Sequence, residues 1–112
     1  MREILIADLS ALKVSIQVAE AKVFAAYKDV QDVKHKLQIK EDAILMDKAE
    51  GIKIDGKNAE IRAAQVREAT SYERLAVQDE EKVFEARKLE LANLKTELRI
   101  NLALVELVKE VA

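Results

Sequence analysis

The chain has 112 residues, of which 36% are charged and 50% hydrophobic, and its formal net charge is −2. This length allows one domain at most, and the near balance of charges excludes a strong basic field that would attract nucleic acid or a membrane surface. Without cysteine there is no disulfide, no thiolate metal ligand and no cysteine nucleophile. That usage is typical of a reducing compartment, and we expect the cytoplasm.

No proline occurs, and Leu, Ile, Val and Ala provide most of the apolar residues. A composition rich in Ala, Glu, Lys, Leu and Arg is typical of long helices and coiled coils. The N-terminal apolar run at 4–6 is soon interrupted by Asp8 and Lys13. We therefore expect neither a signal peptide nor a membrane span there.

A first long helix is predicted from about residue 3 to about residue 50. Its apolar residues recur alternately every four and three positions, which is the heptad pattern of a coiled-coil seam. The strict pattern then meets Lys40, and we expect the seam to change phase before the turn, toward Ile39, Ala43, Ile44 and Met46. The predicted seam consists of Leu5, Leu9, Leu12, Ile16, Ala19, Val23, Ala26, Val30, Val33 and Leu37.

The first half of this helix carries a second apolar series, nearly opposite the seam. A helix that is apolar on two faces is normally packed on both, so we predict that this face contacts a partner. The alternative is that its alanines are good helix formers on a solvated face, but this leaves Ile4, Val14 and Val18 unexplained. The series is Ile4, Ala7, Ala11, Val14, Val18, Ala21 and Ala25.

Both glycines lie near the midpoint of the chain, where we predict a turn over residues 51–57. Gly51 suits the left-handed residue just beyond a helix C-terminus, and Asp55-Gly56 is typical of a tight turn. Asn58 is the preferred N-cap of the next helix, with Asp55 as the alternative. Glu60 would then lie in the first turn, where the helix dipole favours a carboxylate.

A second long helix is predicted from about residue 58 to about residue 111. Residues 78–82 contain no apolar side chain, so at least one layer of its seam is polar, which can fix the register of a coiled coil. A bend or a partner site is the alternative interpretation of this stretch. Near the C-terminus, a second apolar stripe lies about opposite Leu98, Val105 and Val108. It consists of Ile100, Leu104, Leu107 and Val111.

Antiparallel pairing of the two helices would bring both second stripes to the same end, away from the turn. We therefore predict an all-α fold, an antiparallel two-helix coiled-coil hairpin with a mid-chain turn, as a single domain over 1–112. Small cores are marginal, and association into a multi-helix bundle at the open end would bury the exposed stripes. The predicted self-association residues are Ile4, Ala7, Ala11, Val14, Val18, Ile100, Leu104, Leu107 and Val111.

The sequence contains no pattern that indicates catalysis or cofactor binding. His35 is the one histidine, and a single imidazole makes a poor metal site. Neither glycine belongs to a phosphate-binding loop, and no hydroxyl residue has a histidine partner for nucleophilic catalysis. We therefore expect no enzyme, no metal and no cofactor.

Basic residues near the turn are the candidate contacts for nucleic acid. Asp55, Glu60 and Glu68 are interleaved with them and cancel much of their field. A nucleic-acid accessory factor is therefore the alternative function, behind protein–protein interaction. The candidate contacts are Lys53, Lys57, Arg62 and Arg67.

Residues 56–65 read Gly-Lys-Asn-Ala-Glu-Ile-Arg-Ala-Ala-Gln. This segment resembles a Gly-Lys-Asn-Ala-Glu-x-Arg run that opens the second helix of small helical-hairpin proteins encoded by bacteriophages and prophages. The resemblance covers the turn and about ten following residues, together with the two-helix layout and the length. It implies a phage or prophage setting and no mechanism, because members of that family are mostly of unknown function.

Together these features favour a non-enzymatic, oligomeric interaction protein. It would act as an adaptor or scaffold, as a homodimer or homotetramer. In this interpretation the turn region is left for another, unidentified protein partner, and neither nucleic acid nor a membrane is an expected partner.

Overall fold

The computed structural model describes residues 2–111. Three α-helices follow one another: α1 spans Arg2–Leu45, α2 spans Ala59–Ala69 and α3 spans Ser71–Val111. No strand occurs within 2–111, so the predicted all-α class is confirmed. The chain forms two compact units, which we call the terminal unit (Met1–Ala26 with Val83–Ala112) and the central unit (Tyr27–Lys82).

The buried side chains of α1 follow the predicted heptad seam. Every predicted seam residue from Leu5 to Leu37 is buried or half-buried, whereas its neighbours on the helix are exposed. This alternation of three and four is what a helix with one packed face requires. The seam prediction is therefore confirmed over that range. The buried apolar residues are Leu12, Ile16, Ala19, Ala26, Val30 and Ile44.

The seam does not change phase at Lys40, and of the four residues predicted to continue it, Ala43 is half-buried and Ile44 is buried. Ile39 and Met46 are 54% and 61% exposed, whereas Ile44, the next strict heptad position, is buried. Lys40 keeps its seam position, half-buried, and its ammonium donates to Glu73 Oε1 of α3 at 2.8 Å. A lysine fits the seam here because its charge has a partner and its aliphatic stem can pack on apolar neighbours.

Helix α1 ends at Leu45 rather than near residue 50. The backbone N–H of Asp47 donates to the carbonyl of Ile44 at 3.1 Å, and that of Lys48 donates to the carbonyl of Ala43 at 2.8 Å. These two bonds form a Schellman cap, and Asp47 is its left-handed residue, with φ 55°. Asp tolerates this conformation better than most residues, so the helix stops before it reaches the glycine.

Gly51 is left-handed, with φ 75°, but it does not cap α1 as predicted. It lies in a separate turn, in which the N–H of Ile52 donates to the carbonyl of Ala49 at 3.4 Å. The predicted tight turn at Asp55-Gly56 is also wrong, because residues 52–56 form neither a turn nor a helix. The non-helical segment between α1 and α2 is therefore 46–58, longer than the predicted 51–57.

Asn58 is the N-cap of α2, as predicted. Its backbone is extended, with φ −139° and ψ 172°, and its Oδ1 accepts from the N–H of Ile61 at 2.9 Å. Glu60 lies in the first turn. The alternative cap, Asp55, instead accepts a hydrogen bond from Gln65 Nε2 at 2.9 Å.

Gly56 approaches α2 so closely that a side chain would not fit. Its N–H donates to Gln65 Oε1 at 2.9 Å, and its carbonyl accepts from Arg62 Nη1 at 3.1 Å. A Cβ at this position would lie 2.5 Å from Ile61 Cγ2 and 3.0 Å from the backbone nitrogen of Arg62. Two side chains of α2 thus hold the preceding segment against the helix.

The predicted single second helix is divided at Thr70 into α2 and α3. The backbone ladder continues through this residue, because its N–H donates to Val66 at 3.0 Å and its carbonyl accepts from Arg74 at 2.9 Å. Its hydroxyl also donates to the carbonyl of Val66, at 2.8 Å. A threonine hydroxyl that shares this i−4 carbonyl often bends a helix, and the division is confined to this one residue.

We expect Asp47→Gly to raise the free energy of unfolding by about 0.5–1 kcal/mol, since glycine adopts the left-handed cap without a Cβ penalty. The substitution also removes a carboxylate from the negative end of the helix dipole. Urea titration followed by circular dichroism measures the change. Gly51→Ala is the control with the opposite sign, because it places a Cβ at a left-handed residue and should lower the free energy of unfolding by about 1 kcal/mol. A loss of stability in Asp47→Gly would contradict the assignment of Asp47 as a strained cap.

Candidate functional site

All nine predicted self-association residues belong to the terminal unit, and all are exposed. Exposure of the larger aliphatic members ranges from 43% for Leu104 to 88% for Val111. These side chains therefore lie off the buried seam, as the sequence pattern indicated. Within residues 3–111, five further large apolar residues of this unit are exposed, and sequence analysis did not select them for self-association. They are Ile6, Phe24, Val83, Leu89 and Leu102.

In the terminal unit, α1 and α3 border a groove of about 310 Å³. Two predicted residues, Val14 and Val18, line it. Deeper in the groove, Ala19 is buried and Leu94 is half-buried. The exposed charged residues of the lining are Lys22 and Glu90, which sequence analysis did not select. The full lining is Val14, Ser15, Val18, Ala19, Lys22, Glu90 and Leu94.

In the central unit, α1 and α3 are joined by ion pairs that reveal their relative direction. Lys34 Nζ lies 3.7 Å from Glu81 Oε1, and Lys40 Nζ lies 2.8 Å from Glu73 Oε1. Residue numbers rise along α1 as they fall along α3, so the two helices are antiparallel in this unit. Helix α3 continues unbroken through the polar stretch 78–82, and Glu80 is half-buried. The stretch therefore supplies a polar seam position and does not interrupt the helix.

Thr70 anchors a short polar network between α3 and α1. It is fully buried, and its hydroxyl accepts from Arg74 Nε at 2.9 Å. The same guanidinium donates through Nη2 to Glu41 Oε1 at 2.7 Å. A hydrogen bond to a charged group is stronger than a neutral one, so the hydroxyl helps to orient the arginine toward its carboxylate partner on α1.

Glu73 is the carboxylate that faces Lys40 in the seam. The hydrogen bond from the Lys40 ammonium lowers the pKa of Glu73 below its ordinary value of 4.5, against the opposing effect of desolvation. Its second oxygen, Oε2, is buried and has no hydrogen-bond partner among residues 2–111. The pair is therefore incompletely satisfied, and it stabilises the central unit mainly while both groups are charged.

The four candidate nucleic-acid contacts are exposed residues of the central unit. Lys53 and Arg62 line one cavity of about 440 Å³, but Asp47 and Asp55 line it too. Two carboxylates beside two cations leave little net positive field for a phosphate backbone. The other two candidates, Lys57 and Arg67, do not line this cavity.

His35 is exposed on α1. Within residues 2–111, no group of three or more His, Cys, Asp or Glu side chains is arranged to hold a metal ion. Across the same residues, no helix combines the length and apolarity needed to cross a membrane. Comparison with known proteins gave no match, since no family model, curated protein or solved structure is significantly similar to the chain.

We expect Thr70→Val to lower the free energy of unfolding by about 1–3 kcal/mol, because Arg74 loses a buried hydrogen-bond acceptor. Thr96→Val is a matched control. That hydroxyl also donates to its i−4 carbonyl, at 3.1 Å, and accepts from Arg99 at 3.2 Å, but it is exposed. Its loss should change stability by less than about 0.5 kcal/mol. Equal effects in urea titration would contradict a special role for Thr70.

The lowered pKa of Glu73 makes its contribution to stability depend on pH. The pKa of Glu73 is lower in the folded state than in the unfolded state. Its contribution to stability is therefore present above pH 4.5, the ordinary pKa, and is lost as the pH falls through the folded-state pKa. The difference in unfolding free energy between the wild type and Glu73→Gln should therefore be constant near neutrality and shrink in acid. In Glu81→Gln, which removes a longer and more exposed pair, we expect little change at any pH. A difference for Glu73→Gln that does not vary with pH would refute this assignment.

Proposed function

We propose that this chain is a non-enzymatic, self-associating coiled-coil protein that acts as an adaptor or scaffold. In this proposal α1 pairs with the α2–α3 segment as an antiparallel hairpin in one domain, and copies form a dimer or tetramer through their terminal units. The observation that carries it is the set of exposed aliphatic side chains on both helices of the terminal unit, 43% to 88% exposed among the larger members.

The energetics require the apolar stripes of both helices. Burying a half-exposed Ile, Leu or Val contributes roughly 1 kcal/mol, and association costs about 4–15 kcal/mol in lost freedom. The three larger members on α1 contribute about 6 kcal/mol over two copies, near the low end of that cost. The seven larger members on α1 and α3 contribute about 14 kcal/mol over two copies, near its upper end.

In the central unit, the non-helical segment 46–58 is held against α2 through Gly56 and contains none of the proposed self-association residues. We propose that it contacts a different protein and that the chain works in the cytoplasm, in the phage or prophage setting that the resemblance implies. Nucleic-acid contact is not favoured, because Asp47 and Asp55 offset Lys53 and Arg62 in the cavity they share.

Light scattering on a sizing column, over a concentration series, tests the proposal. We expect a mass of two or four times 12.6 kDa. Val14→Asp and Leu104→Asp should each raise the dissociation constant by about tenfold or more, because each would bury a charge in an apolar contact.

Leu75→Asp is the matched control for these two variants. Leu75 is 55% exposed but belongs to the central unit, so its replacement should leave the mass unchanged. A wild-type monomer at tens of micromolar would rule out self-association. An equal loss of mass in Leu75→Asp would instead show that association does not depend on the terminal unit.

A further inference from the structure

The groove of the terminal unit carries opposite charges on its two helices. Lys22 belongs to α1 and Glu90 to α3, and both are exposed. Among residues 2–111, Lys22 makes no ion pair. Glu90 pairs with Arg87 of its own helix, at 3.3 Å, but this contact is well exposed and contributes little. Both charges are therefore available to a molecule that enters the groove.

Small residues line the groove between these charges. Ala19 and Ser15 on α1 leave room for close approach, while Val14 and Val18 offer apolar contact. Grooves bordered by small residues and aliphatic side chains suit the ridge of another helix. The lining therefore fits a helix that brings apolar side chains and one charge of each sign.

We infer that a second copy of this chain occupies the groove about a two-fold axis, with Lys22 of each copy paired to Glu90 of the other. A two-fold interface uses the same patch on both copies. With the two-fold axis along the helices, α1 of each copy lies over α3 of the other, so the cation on α1 faces the anion on α3 in both places. The exposed Val14 and Val18 supply the matching apolar contact. This inference rests on the proposed self-association and names one pair of charged contacts within its surface, of which Val14 and Val18 also belong to the groove.

Charge reversal with mixing tests the inference. In a Lys22→Glu homodimer both trans pairs become carboxylate against carboxylate, and in a Glu90→Lys homodimer both become ammonium against ammonium. Each variant alone should dissociate at least tenfold more readily than the wild type. In an equimolar mixture both trans pairs are again opposite in sign, and affinity should return to within about threefold of wild type.

Mixing separates contacts between copies from contacts within one copy. Within each variant chain, residues 22 and 90 carry the same charge, and mixing the samples does not change this. Any gain of affinity on mixing can therefore arise only from contacts between chains. Lys34→Glu mixed with Glu81→Lys is the control. That pair lies within one chain of the central unit, and mixing should restore nothing. Circular dichroism checks that all four variants are helical.

A second measurement uses no charge-reversed variant, so it tests the inference even if those variants do not fold. The wild type has no cysteine, so Lys22→Cys and Glu90→Cys each introduce one thiol. Under mild oxidation the mixed variants should form a covalent dimer much faster than either variant alone, because the inference places residue 22 of one copy beside residue 90 of the other.

The outcomes distinguish this inference from the proposed function. If the wild type associates but mixing neither restores affinity nor accelerates cross-linking, the groove is not the interface, although self-association stands. If the single reversals do not weaken association, the inference is likewise overturned. If the wild type is a monomer, both proposals are wrong, and the groove accepts another protein or nothing.

Discussion

The packing of one heptad seam on α1 is the constraint on which the rest of the structure depends. Within residues 3–111, the buried apolar side chains are Leu, Ile, Val and Ala residues of that seam, and no residue of α2 or α3 is both apolar and buried. A helix packed along one seam leaves its remaining circumference in water. Large aliphatic residues elsewhere on the helix are consequently exposed, and the proposed function follows from where they are concentrated.

The seam of α3 is more polar than that of α1, and this limits what the pairing alone can contribute to stability. Glu73, Glu80, Arg87 and Asn101 are half-buried at heptad spacing on this helix. The cost of desolvating a partly buried charge is offset only when that charge is paired, as Glu73 is with Lys40. Such layers specify register at a cost in stability, and the proposed self-association would offset part of that cost by burying a second surface.

The sequence by itself determined the helical class, the seam of α1 and the start of α2. These follow from local signals: an apolar period of three and four, the absence of proline, and an Asn followed by a carboxylate in the first turn. Asn58 caps its helix through an N–H only three residues away, so no distant contact is needed to predict it. The off-seam positions of Val14 and Leu104 were also predictable, since the helical period alone assigns them to a second face.

Tertiary structure decided where local preferences compete or where a feature needs two helices. Lys40 stays in the seam because Glu73, distant in sequence, accepts its charge. The helix divides at Thr70, where Arg74 links the hydroxyl to Glu41 on α1. The groove that holds Lys22 and Glu90 exists only once α1 and α3 pack together. Each of these features depends on which side chains of two different helices lie opposite each other. The periodicity of one helix contains no information about the side chains that will lie opposite it.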